Sequence, residues 1–133
     1  MKWEFNDDTP IYLQIMEHIK TEIASGGLKA GDKIPPVREL AMEAGVNPNT
    51  MQKALSELER EGLLESQRTS GRFVAEAAIS PENLKNNLAD GLMEDFLKKM
   101  TRIGYTPQQS ASEYAEYVKN RHLYLIRLRY ELS

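Results

Sequence analysis

Apolar residues near the start of the chain recur at helical spacing. They fall at i, i+3, i+4, i+7 and i+11, namely Tyr12, Ile15, Met16, Ile19 and Ile23. This spacing predicts an amphipathic helix. Asp8-Thr9-Pro10 marks its beginning, because proline is well tolerated at the first helical position, and Ser25-Gly26-Gly27 marks its end.

Two shorter helices follow a turn over residues 28–36, which also has room for a very short strand. Pro36 can open the first of them and Gly45 ends it, whereas Asn47-Pro48 opens the second and Gly62 ends it. Both carry apolar residues at helical spacing: Val37, Leu40 and Ala41 in the first, and Met51, Ala54, Leu55 and Leu58 in the second. Only Gly45-Val46-Asn47 separates them, which predicts a helix-turn-helix.

A β-hairpin is predicted over residues 63–75. Two short extended runs, residues 63–68 and 72–75, flank the small polar tip Thr69-Ser70-Gly71. Helix, helix-turn-helix and hairpin follow one another in the order of a winged helix. We therefore predict a mainly α fold with a small sheet (α+β), in which residues 1–76 form a winged-helix domain.

Residues 77–133 predict a short helical domain. Ser80-Pro81 starts a long helix whose apolar residues step mostly by four, and Thr106-Pro107 starts a second helix after Gly104. Residues 122–133 fit a helix or a strand by periodicity, and we favour a continuation of the last helix. Two such helices cannot bury their apolar stripes against each other alone, so the surplus must pack on the winged helix or on a second copy. We predict a dimer interface formed by Leu84, Leu88, Leu92, Phe96, Tyr114 and Val118.

The amino-acid composition excludes several classes of function. The 133 residues are 41% hydrophobic and 28% charged, which is globular, and they include no cysteine and two histidines. Disulfides, thiolate metal sites and cysteine nucleophiles are therefore excluded. No apolar run is long enough to span a bilayer, and the first residues do not form a signal peptide. We expect a cytoplasmic protein without metal or cofactor, and not an enzyme, since the acidic clusters Asp7-Asp8 and Asp90/Glu94/Asp95 are typical of a solvated surface.

The net charge argues against binding to nucleic acid, whereas the positions of individual charged side chains argue for it. The chain carries −3 at pH 7, whereas a nucleic-acid binder usually has a basic face. On the helix over residues 48–61, however, Asn49, Gln52 and Lys53 lie opposite the apolar stripe, flanked by Thr50. Amides and lysine can read base edges in the major groove. The acids Glu57, Glu59 and Glu61 all fall in the other half of this helix.

Three arginines extend this candidate surface. Arg38 lies in the first turn of the preceding helix, where helix-turn-helix proteins contact phosphate, and Arg68 and Arg72 flank the hairpin tip. Each could instead form an ion pair, with Glu39 or Glu65 as the obvious partners. Similarly, the polar face of residues 49–53 could be an ordinary solvated face of a well-capped helix.

Several segments together resemble the N-terminal domain of GntR-type bacterial transcription regulators. They cover residues 9–75 in order: Thr9-Pro10-Ile11-Tyr12, residues 28–35, Val37-Arg38-Glu39-Leu40-Ala41, residues 45–51, residues 58–64 and Ser70-Gly71-Arg72-Phe73-Val74. The Asn-Pro-Asn-Thr opening at residues 47–50 and the short C-terminal part resemble the YtrA subfamily. The chain departs from many members at Pro36, at Asn49 and Gln52, where arginine is frequent, and at Thr69, where glycine is frequent.

The resemblance implies a homodimeric repressor that binds an inverted-repeat operator on double-stranded DNA. It implies a phosphate contact by Arg38, groove contacts by Asn49, Thr50, Gln52 and Lys53, and minor-groove contact by the wing around Ser70 and Gly71. It also suggests an ABC-transporter operon as the target, and it leaves open a small-molecule effector that the sequence does not identify. The alternative function is a winged helix used for protein–protein contact, which the acidic pI of about 5.5 favours slightly.

Overall fold

The computed structural model describes residues 1–76 and 80–132, without the side chains of residues 122–125 and 132. The chain divides into two compact units, Met1–Leu88 and Ala89–Ser133. In chain order its elements are α1 (Ile11–Ser25), β1 (Lys33–Ile34), α2 (Val37–Ala44), α3 (Pro48–Arg60), β2 (Leu64–Gln67), β3 (Gly71–Val74), α4 (Pro81–Arg102), α5 (Pro107–Asn120) and α6 (His122–Leu132). The predicted helices, short strand and hairpin are all confirmed, and the fold is mainly helical with a small sheet.

Local sequence signals explain where the helices of the helix-turn-helix begin and end. The Asn47 side chain accepts a hydrogen bond from the Asn49 backbone N–H at 2.7 Å, which caps α3 ahead of Pro48. Gly45 ends α2 in a left-handed conformation, with φ at +72°. Pro10 and Pro36 stand one position earlier than predicted, as the caps of α1 and α2, and neither helix has a side-chain cap.

The three strands form one antiparallel sheet in the order β1-β3-β2. Ser66 pairs with Arg72 and Glu65 pairs with Phe73 across the hairpin. Because successive side chains of a strand point to opposite faces, Ser66 and Arg72 share one face of the hairpin and Glu65 lies on the other. This register decides the partner of Arg72, as shown below.

The hydrophobic core lies in the first unit. The apolar stripes of α1 and α3 are buried, apart from the half-buried Tyr12, and Ile15, Leu55 and Leu58 are fully inaccessible. The segment before α1, to which the sequence assigned no role, also packs on this core through Trp3 and Phe5. The Trp3 ring stacks on His18 with their centroids 4.2 Å apart. Burial of these aromatic rings extends the core beyond the predicted elements.

The first unit extends further than the predicted domain boundary. That boundary falls between residues 76 and 77, and residues 77–79 lie outside the described residues. The first turns of α4 belong to the first unit, because Leu84 is only 3% exposed in its core and Leu88 packs against it. The prediction that Leu84 lies in a subunit interface is therefore corrected: its side chain is buried within its own chain.

The described residues of the second unit form the end of α4, α5 and α6, which are three helices rather than the predicted two. Residues 122–132 are helical, as favoured, but a turn at Arg121 separates α6 from α5. Thr106 and Gln109 form a reciprocal capping box at the start of α5. Phe96 and Tyr114 contact edge to face, with centroids 5.9 Å apart. Among the described residues, no helix is both long enough and apolar enough to cross a membrane.

Candidate nucleic-acid interface

The exposed face of α3 carries the side chains that the sequence singled out. Asn49, Gln52 and Lys53 are exposed and Thr50 is half-buried, whereas the opposite stripe of α3 is completely buried. The Gln52 amide donates a hydrogen bond to the Ser56 hydroxyl at 2.9 Å. This bond orients the Gln52 side chain along the helix and leaves its carbonyl oxygen and second N–H available.

Lys53 contacts an aromatic ring that the sequence assigned only to the apolar stripe of α1. Its Nζ lies 3.9 Å from the centroid of the Tyr12 ring, and Tyr12 is half-buried. Tyr12 belongs to α1 and Lys53 to α3, so this cation–π contact joins the first helix to the candidate interface. Sequence spacing cannot find such a contact, because it depends on how two helices pack.

The acids near the end of α3 are all engaged by cations. Glu57 pairs with Arg60, Glu59 with Arg72, and Glu61 with Lys20 of α1 at 3.1 Å. These pairs offset the negative charge that would oppose a phosphate backbone. Among the ion pairs formed by the described residues, none involves Arg38, Lys53 or Arg68.

Arg72 differs from the other predicted contacts. Its side chain is only 17% exposed, and its Nε donates to a Glu59 carboxylate oxygen that also accepts from the Ser66 hydroxyl. Although partial burial opposes ionisation, the hydrogen bonds from Ser66 and Arg72 and the charge of Arg72 lower the pKa of Glu59. Arg72 therefore ties β3 to α3, and neither Glu39 nor Glu65 is its partner. Glu65 is excluded because it lies on the other face of the hairpin.

The wing tip is exposed, and it depends on glycine. Arg68, Ser70 and Gly71 are exposed around the turn between β2 and β3, and Arg38 is exposed in the first turn of α2. Gly71 has φ at +104°, and a Cβ there would lie 3.3 Å from the Lys33 side chain. A larger residue at this position would be strained, so the turn requires glycine.

Similarity to known proteins agrees with this geometry. Residues 11–74 match the family described as bacterial regulatory proteins, gntR family. The HTH-type transcriptional repressor YtrA of Bacillus subtilis is 46% identical over 95 residues, which are 71% of this chain and 68% of that protein. The chain belongs to the GntR family.

Two solved structures support the same assignment. A GntR family transcriptional regulator from Listeria monocytogenes has a TM-score of 0.72 and 38% identity, and the match covers 87% of this chain and 98% of that one. AraR(DBD) in complex with operator ORX1 has a TM-score of 0.52 and 34% identity, and the match covers 56% of this chain and 96% of that one. The predicted GntR resemblance and its YtrA-like character are confirmed. GntR proteins are transcription regulators with a DNA-binding domain, so this chain is a regulator and not an enzyme.

Proposed function

We propose that this GntR protein is a homodimeric repressor that inserts the beginning of α3 into the major groove of its operator. The observation that carries the proposal is the exposed, acid-free face of Asn49, Gln52 and Lys53 opposite a fully buried stripe. Amide side chains pair with adenine edges, and lysine reaches guanine or phosphate. The solved AraR complex, in which a similar domain is bound to operator DNA, supports this docking.

The remaining exposed groups of the first unit position the protein on the duplex. Arg38 contacts a phosphate beside the helix-turn-helix, Thr50 flanks the groove, and Arg68, Ser70 and Gly71 bring the wing to the backbone or the minor groove. Arg72 is left out of this set, because Glu59 already holds its guanidinium.

The dimer forms through the second unit and the adjoining part of α4. Leu92 is 65% exposed and Tyr114 57%, Phe96 is partly exposed, and Leu88 and Val118 are half-buried in the single chain. Exposed and half-buried apolar side chains in such number support an interaction site. A two-fold dimer places two copies of α3 on one duplex, so the operator consists of inverted half-sites.

The target and its control follow from the YtrA-like character. We extend the proposal to an ABC-transporter operon, and to an effector that binds the two arrangements of the dimer with different affinity. A regulator of this kind acts in the bacterial cytoplasm, where the chromosome lies. Expression measured with and without the gene would show loss of repression of one transporter operon.

Two alanine variants test the docking of α3 on a duplex selected by the wild-type protein from a random pool. Gln52→Ala should cost about 1–3 kcal/mol of binding free energy and relax the selected sequence at one position, because Gln52 reads a base edge. Lys53→Ala should weaken all sequences alike and reduce the salt slope by about one unit, because Lys53 contacts phosphate.

Gln108→Ala, an exposed amide of α5, is the matched control and should leave the affinity unchanged. Equal losses with unchanged sequence preference in the Gln52 and Lys53 variants would show that α3 does not lie in the groove. If the wild-type protein selects no duplex at all, the protein–protein function that the acidic pI favours takes precedence.

A further inference from the structure

Lys53 is held in a different way from the cations around it. Lys20, Arg60 and Arg72 each bind a carboxylate of the α3 region. The ammonium of Lys53 lies instead over the face of the Tyr12 ring, 3.9 Å from its centroid. The ring attracts a cation through its quadrupole and carries no charge of its own. Lys53 is therefore oriented while its full positive charge is kept.

A carboxylate lies at helical spacing from Lys53 but pairs with another cation. Glu57 lies four residues after Lys53, and residues at this spacing are neighbours on a helix. Glu57 pairs with Arg60. A Lys53–Glu57 pair would have neutralised a cation on the face proposed to meet DNA, in a chain whose net charge is already −3. Contact with the uncharged Tyr12 ring does not neutralise the Lys53 cation.

Orientation before binding also has a physical benefit. A free lysine side chain has many rotamers, and their loss on binding opposes association. Tyr12 is half-buried on α1, which packs against α3, so the ring itself is fixed by the core. The ring covers one side of the ammonium, and the remaining N–H donors can reach a phosphate oxygen.

We propose that Tyr12 is a positioning residue of the DNA interface, which holds the Lys53 ammonium ready for a phosphate without neutralising it. The proposal rests on the proposed DNA-binding function. It gives α1, which packs in the core, a role in DNA affinity that acts only through Lys53.

A double-mutant cycle on the full-length protein tests this coupling. The variants are Tyr12→Leu, Lys53→Met and the pair together, and fluorescence anisotropy gives the dissociation constant for a mixed-sequence duplex over a range of salt. Tyr12→Leu should weaken binding by about two- to fivefold, the range of an exposed cation–π contact. Its salt slope should stay unchanged, because the lysine can still reach phosphate. Lys53→Met should lower the slope by about 0.9.

In the Lys53→Met background, Tyr12→Leu should have no further effect, and Tyr12→Phe should bind like the wild type because it keeps the ring. Thermal unfolding of each variant reports any loss of fold, and Tyr12→Met replaces Tyr12→Leu if the latter unfolds. An equal loss in both Lys53 backgrounds, or a gain of affinity on removing the ring, would overturn the proposal. A wild-type protein that does not bind the duplex even at low salt would overturn the DNA-binding function itself.

Discussion

The two units of the chain differ in how they use apolar residues. In Met1–Leu88 the apolar stripes of α1, α2 and α3, together with Leu84 of α4, close into one buried core. In Ala89–Ser133 the large apolar residues Leu92, Met93, Ile103, Tyr114 and Tyr117 are exposed, and among the side chains described there the buried one is Ser110. The first unit has the core of a self-contained domain, and the second exposes the large apolar residues on which the proposed interface rests.

This contrast fits the proposed division of the chain into a DNA-binding part and an assembly part. In the first unit a close-packed apolar core and the Glu59–Arg72 pair hold α3 against the wing. In the proposed dimer the second unit would gain stability by burying apolar surface against another chain, which would couple its folding to assembly. Substitutions in one unit should therefore leave the fold of the other unit unchanged.

The largest effect is expected when charge is placed on the apolar surface of the second unit. Leu92→Glu should convert the dimer into a monomer, because an unpaired carboxylate would be buried in the interface. The affinity for a two-half-site operator should then fall by about 10²-fold, since the second domain loses its effective concentration. Sedimentation and anisotropy would measure the two effects.

Met42→Glu is the control for assembly, since Met42 is 82% exposed in the first unit. It should leave the sedimentation behaviour unchanged. A dimer that persists in Leu92→Glu, or a wild-type chain that is monomeric at micromolar concentration, would contradict the proposed interface.

A smaller effect should separate two leucines of the same helix. Leu84→Ala should lower the free energy of unfolding of the first unit by about 2–5 kcal/mol, because it leaves a cavity in the core. Leu92→Ala should change it by less than about 0.5 kcal/mol, because Leu92 lies in the other unit. Trp3, the one tryptophan of the chain, packs on this core and reports its urea unfolding. Equal losses of unfolding free energy in the two variants would contradict the placement of Leu84 in the core and of Leu92 outside it.

The smallest expected effect is a pH dependence confined to the first unit. Burial lowers the pKa of His18, with Glu22 acting against it, and His18 Nε2 finds no hydrogen-bond partner among the described residues. The unfolded chain therefore binds a proton more readily than the folded one. The contribution of His18 to stability is complete above its ordinary pKa of about 6.5, and it is lost as the pH falls through the lower folded value.

His18→Phe keeps the stacking on Trp3 and removes the titration. Urea midpoints between pH 7 and pH 5 should fall more in the wild type than in this variant. Parallel curves would show that His18 can be protonated without cost in the folded state.

Much of the first unit was predictable because its signals are local. Asn47-Pro48 caps α3, Gly45 ends α2, and the turn at Ser70-Gly71 closes the hairpin, each within a few residues of sequence. The exposure of Asn49, Gln52 and Lys53 opposite the buried stripe followed from helical periodicity. Prediction failed where a partner is distant in sequence, as for Arg72, whose carboxylate is thirteen positions away on α3 and not on the neighbouring strand.

Local sequence signals were enough to predict the elements, their order, the family and the polar face of α3, because capping, glycine and periodicity act over one or two helical turns. The contacts that those side chains make depend instead on how the elements pack. The packing of α1 on α3 puts Tyr12 under Lys53, the hairpin register turns Arg72 toward Glu59, and the core encloses Leu84 while Leu92 stays exposed. Each of these placements depends on the distance between two elements, and the spacing of residues within one segment does not predict that distance.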